Sequence, residues 1–216
     1  MERRPSGAST PQVVGDPVTV GPNRVIDIDL AKVLAPSNVY DADVAWVEHR
    51  QGEISLLFAK KDRNSNERFR TRLELRYPAE NFVHHFWKNS LDFQSRLRDY
   101  AQRWPPAPRS VPFDASWPAD KDHSEWVGFD VIAHVGTEAV MDFYQLPVPS
   151  VARFNKGLGS AGLHVIPIVR VHLSIFEMIR LFDSAGPVAE EVQKYLPDLN
   201  DAPSDHKVFV HIGAKS

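Results

Sequence analysis

Arg68, Arg70, Arg72 and Arg76 stand at even steps in one stretch, with Lys60, Lys61 and Arg63 just before them. Asp62, Glu67 and Glu74 are the only acids among them. Side chains alternate along a β-strand, so a strand here puts the four guanidinium groups on one face. Such a row holds phosphates or a partner's carboxylates through charge-assisted hydrogen bonds. The competing reading is a solvated sheet face. Base stacking on a single strand needs aromatic groups interleaved with the charges, and that face has few. The partner-binding set is therefore Lys60, Lys61, Arg63, Arg68, Arg70 and Arg72.

Other chemistry-bearing patterns fail on context. Gly157, Gly159 and Gly162 form G-x-G-x-x-G, which cradles a pyrophosphate only between a strand and a helix. Leu163 to Ile168 follow and read as strand, so a hairpin loop without nucleotide is expected. His84 and His85 are adjacent, and adjacent helical residues diverge by about 100°. His123 with Glu125, and His206 with His211, are equally loose. None has the i, i+4 spacing of a zinc helix, so surface or capping histidines are expected. Asp27 and Asp29 share one face of a strand, where a solvated edge strand is a better account than magnesium. With no cysteine, thiolate nucleophiles, disulfides and Cys-type zinc sites are excluded. The expectation is no catalytic residue, no metal and no cofactor.

The elements that would position the arginines are written twice. Ile54, Leu56 and Phe58 alternate as a half-buried strand after a Gln51-Gly52 turn. After a polar loop, Phe69, Thr71, Leu73, Leu75 and Tyr77 alternate again. A helix from Pro78 then presents Phe82, Phe86, Phe93, Leu97, Tyr100 and Trp104 on one face. In the second copy Val127, Phe129 and Val131 alternate before a Gly136-Thr137 turn. Ala139, Met141 and Phe143 follow, then Val169, Val171 and Leu173, then a helix from Ser174. Gly186-Pro187 predicts a kink or two short helices there. The copies align at a constant offset of 85 through the hairpins, pairing His49 with His134 and Phe58 with Phe143. Beyond the longer second loop the offset is 96, pairing Phe82 with Met178 and Phe86 with Phe182.

The fold class expected is α+β: two tandem β-β-β-α repeats with pseudo-twofold symmetry, antiparallel sheets backed by long helices. The boundaries are a flexible arm at 1–23, a first repeat with leading strand at 24–104 and a Pro-rich connector at 105–122. A second repeat at 123–197 and a tail with an edge strand at 198–216 complete the chain. Hydrophobic and charged fractions of 43% and 25% fit an ordinary globule, and the net charge of -3 rules out a general polyanion trap. Basic residues near Met1 have no apolar run behind them, so no secretory leader is read and the cytoplasm is the default compartment. No membrane association is expected.

The second copy resembles a family of small bacterial proteins of unknown function. That family reads L-D-F, a proline-containing loop, then R-V-x-L-S-P and an amphipathic helix. Met141-Asp142-Phe143 and Arg170-Val171-His172-Leu173-Ser174 match, with Ile175 in place of the proline. The first copy keeps Leu57-Phe58 and Leu75-Arg76-Tyr77-Pro78 and lacks the serine. The resemblance implies a sheet backed by a helix and brings no activity. Strands followed by a long helix also resemble, by fold analogy, the oligomeric export chaperone SecB. The expected function is a non-catalytic cytoplasmic protein-interaction module, an adaptor, chaperone-like protein or regulatory subunit, able to form a homo-oligomer. A nucleic-acid binder using the Arg-rich strand is the alternative, and an unrecognised hydrolase the third reading.

Overall fold

The structure, a computed structural model, describes residues 12–13, 17–20, 23–29, 33–50, 52–65, 67–105, 113–120, 122–146, 163–196 and 208–213. The architecture is mixed α+β, with two four-stranded sheets and a few helices. Among the described residues no helix is long and apolar enough to cross a membrane.

Strands β1 (Gln12–Val13), β2 (Pro17–Val20) and β3 (Asn23–Asp29) come first. Two of these fall within residues 1–23, expected as a flexible arm: the chain there finds backbone partners in β3 and in β11 (Leu163–His164). β3 was expected at an edge. It is instead the centre of a three-stranded sheet, between β2 and the parallel tail strand β13 (Val208–Gly213).

The first four-stranded sheet is a meander of β5 (Val44–Arg50), β6 (Glu53–Lys61) and β7 (Phe69–Pro78), closed by β8 (Asp122–Trp126). The second repeats that order with β9 (Phe129–Val135), β10 (Glu138–Gln145) and β12 (Ile166–Ser174), closed by β4 (Val39–Asp41). Gly52 and Gly136 take positive φ in the two hairpin turns, a conformation a side chain disfavours. The sheets are mixed where antiparallel ones were expected, because β8 joins β7 and β4 joins β12 in parallel. Each closing strand comes from far away in sequence. Ala42 N–H donates to His172 in the second sheet, and the next residue, Asp43, donates to Ala59 in the first. Val127 N–H donates to Arg76 in the first sheet, and Gly128 to Tyr144 in the second.

The two helices depart from expectation in opposite directions. The segment after β7 is not one regular helix. It runs as α1 (Ala79–Asn81), a π-turn (Phe82–Trp87), a 3-10 turn (Lys88–Ser90) and α2 (Leu91–Ala101). The wider turn buries Phe82, Val83, His85 and Phe86 together, a broader arc than one α-helical stripe covers. Ring contacts hold it: Phe82 and Phe86 stack at 5.2 Å, and Tyr77 meets both at 6.2 and 6.1 Å. By contrast α3 (Ile175–Gln193) runs unbroken through Pro187. Its buried residues Leu181, Phe182 and Ala185 precede the proline and Ala189 and Val192 follow it, so packing on both sides offsets the lost hydrogen bond. Ser174 caps it, accepting from the N–H of Glu177 at 3.1 Å.

The main core lies between the sheets and these helices. Phe58 and Phe143 meet edge to face at 5.8 Å, and Phe86 stacks on Phe182 at 5.7 Å. On the other face of the first sheet Val44, Trp46, Leu57, Ala59 and Phe69 form a second cluster, covered by Phe113 and Trp117.

Candidate functional site

A register shift decides what the Arg-rich strand presents. Lys60 pairs with Thr71 and Lys61 with Phe69, so Arg70 is an extra residue in β7. Ala59 pairs with Arg72 and Leu57 with Glu74, which sets those four on one face. Phe69 joins Leu57 and Ala59 on that face, although its odd number was read as facing Leu73. The row of four arginines is therefore broken at the bulge.

The basic residues then divide. Arg68 is ion-paired with Asp120, and Lys60 lies 3.6 Å from Asp41. Lys61 N–H donates to the Asp43 carboxylate at 2.9 Å. Arg76 lies over the Trp126 ring at 4.5 Å, a cation–π contact. Arg72 is half-buried, and Arg63 and Arg70 are exposed. The hairpin loop that carries Arg63 is closed by Asp62 N–H donating to Arg68. Structure thus brings Lys60, Lys61, Arg63, Arg68 and Arg70 to one end of the first sheet and holds Arg76 near the opposite end of β7.

On the outer face of the second sheet, Arg170 binds Asp142 through two hydrogen bonds of 2.7 Å. The Asp142 carboxylate raises the Arg170 guanidinium further. Burial, with the charge of Asp142, pushes the neighbouring Tyr144 hydroxyl up to about 12. His172 pairs with Glu138 on the same face.

The third polar group is interior. A cavity of about 310 Å³ opens between β9 and the π and 3-10 turns, lined by His85, Asn89, Ser90, Phe93, Asp130, Val131 and Ile132. Asp130 pairs with Phe143, which puts its carboxyl on the core side of the sheet. Tyr77, fully buried, donates its hydroxyl to Asp130 Oδ1 at 2.9 Å. Burial pushes the Asp130 carboxyl up to about 7, against the pull of the Tyr77 hydrogen bond. Burial and the neighbouring His84 push His85 down to about 4. Burial and the Asp130 charge hold the Tyr77 hydroxyl well above its usual range. His85 is 8% exposed, contrary to the surface or capping role expected of it, and its Nδ1 has no hydrogen-bond partner. Gln94 donates to Ser90 Oγ, which donates in turn to the Trp87 carbonyl, so that hydroxyl is occupied.

Sequence reasoning missed this group for a definite reason. It placed Phe129 and Val131 on the core face, which leaves Asp130 outside. Yet across the Gly136-Thr137 hairpin Asp130 pairs with Phe143, a residue already read on the core face. That pairing was the available signal. The glycine motif at 157–162 and His206 lie outside the described residues, as do the side chains of Asp27, Asp29, His123 and His211. Among the described residues no cluster of three or more metal-ligating side chains occurs. Compared with known proteins, the chain matches no protein-family model, no curated protein and no solved structure.

Proposed function

We propose that the protein is a non-catalytic binding module, built from two fused β-β-β-α units, that takes an acidic segment of a protein partner at the basic end of its first sheet. The observation that carries this reading is the state of the basic groups. Arg63 and Arg70 are exposed at the β6–β7 end, beside Lys60 and Arg68. The carboxylates already paired with Lys60 and Arg68, those of Asp41 and Asp120, are themselves more than half exposed. Exposed pairs of this kind contribute about 0–1 kcal/mol, so a partner's carboxylates exchange for them at little cost.

Fusion of two units is supported by matched details. The parallel pairing Arg170↔Val39 has its counterpart in Glu74↔Ser124 at the two sequence offsets, and Val171↔Tyr40 in Leu75↔Glu125. The handover between sheets at Ala42-Asp43 recurs at Val127-Gly128. Phe58 touches its own counterpart Phe143, and Phe86 touches Phe182, as residues beside a twofold axis must.

The test uses the full chain with a poly-glutamate peptide and a single-stranded RNA as probes. The peptide is expected to bind, to weaken steeply with salt, and to lose roughly tenfold in affinity on Arg63→Ser with Arg70→Ser, at unchanged melting temperature. Tighter binding of the RNA would move the site to the nucleic-acid reading. Undiminished peptide binding by the double variant would remove the site altogether.

A further inference from the structure

The cavity between β9 and the helical turns is independent of the basic surface, and its lining is specific. Its apolar wall is Phe93, Val131 and Ile132, and its polar wall is His85, Asn89, Ser90 and Asp130. Three consecutive residues of β9 line it. Side chains of consecutive strand residues point to opposite faces, so the cavity meets the strand at its edge. β9 is the outermost strand of its sheet, and alternate backbone N–H and C=O groups there point away from β10. Among the described residues, Nδ1 of His85 has no hydrogen-bond partner, in a residue more than nine-tenths buried.

We propose that this cavity binds a small uncharged amide carried on an aromatic or heteroaromatic ring. Its volume is that of a ligand pocket, about ten water volumes, which suits a ligand of on the order of ten non-hydrogen atoms. The edge of a strand and the Asn89 side chain both offer a donor beside an acceptor, the complement of an amide. Phe93 and Ile132 cover a ring. Ions are disfavoured because the enclosed titratable groups sit toward their neutral forms: burial raises Asp130 and lowers His85.

The pairing of the two halves sharpens the point, and this part rests on the fused-unit reading. At the same offsets Asp130, Tyr77, His85 and Asn89 correspond to Ala45, Leu173, Leu181 and Ala185, all apolar. The second half packs α3 on β5 without one of these polar groups, so the fold itself does not require them.

The test is calorimetric titration of the full chain with benzamide, benzoate and benzylamine, which share a ring and differ in charge. Benzamide is expected to bind saturably in the millimolar range, with both charged isosteres at least roughly tenfold weaker. Asn89→Ala, at the exposed mouth, is expected to weaken benzamide by roughly tenfold, and Ile132→Trp to fill the cavity and abolish binding. If Ile132→Trp does not fold, Asn89→Ala decides. No binding to the wild-type chain, equal binding of a charged isostere, or wild-type affinity in Asn89→Ala overturns the proposal. None of these outcomes bears on the poly-glutamate experiment.

Discussion

Asp130 and His85 bias folding in opposite directions with pH. The Asp130 carboxyl rises from an ordinary 3.8 to about 7, so the folded chain holds its proton more tightly. Its contribution to stability is full below about 4 and is lost as pH rises to about 7. The His85 imidazole falls from 6.5 to about 4, so its contribution is full above 6.5 and is lost as pH falls to about 4. Between those limits the two slopes offset each other. Asp130→Asn removes one of them and keeps an acceptor for Tyr77. Relative to wild type, its unfolding free energy should rise with pH from 4 to 7, by up to about 1.4 kcal/mol per pH unit. His85→Leu should show the reverse trend. Denaturant melts across that range measure both, and a flat difference for Asp130→Asn would mean that its carboxyl titrates at its ordinary value. At this scale the sequence was least legible. Parity along a strand named the right residues for Leu73, Leu75 and Tyr77, but a single bulged residue, Arg70, inverted it for Phe69. Nothing local in the sequence marks that bulge.

Strands β6, β7, β10 and β12 follow from period-two patterns because one face of each packs on the main core, and a slip of one residue would turn a whole row away from it. The helices did not follow so simply. Periodicity counted a stripe from Phe82 to Trp104 and missed the π-turn, which tertiary ring packing imposes; Trp104 is 42% exposed. Phe86 is at the centre of that packing, in contact with Tyr77, Phe82 and Phe182. Phe86→Ala should cost about 3–5 kcal/mol, and an unchanged melting temperature would show that the turn does not depend on it. Gly186 of α3 lies against Trp87. A Cβ at Gly186 would lie 3.0 Å from Trp87 Cη2, so the glycine admits the indole. Gly186→Ala should therefore destabilise the wild-type chain. In a Trp87→Ala background it should instead stabilise by about 1 kcal/mol, the usual gain of alanine over glycine within a helix. A double-mutant cycle in denaturant gives the sign, and the same sign in both backgrounds would show that the indole is not the constraint.

At the scale of the molecule, the antiparallel orders β5-β6-β7 and β9-β10-β12 were legible. What could not be read was which sheet β4 and β8 would join, because parallel edge pairing leaves no pattern in a strand of a few residues. Both join the far half: Tyr40 of β4 packs in the second sheet, and its hydroxyl reaches back to the Thr71 carbonyl at 2.9 Å. Fragments 1–108 and 109–216 should thus each fail to fold alone, yet restore the native circular dichroism spectrum when refolded together. A cooperative melt from either fragment by itself would refute that. The same exchange sets an order of events during synthesis. When the first half leaves the ribosome, its sheet has no fourth strand, and β4 has no sheet to enter. Both vacancies persist until the second half emerges. A neighbouring chain whose second half is already out offers β8 and β12 of identical shape. Crowded synthesis or refolding at high concentration should then yield intertwined dimers in which each half is completed by another molecule, whereas dilution favours closure within one chain.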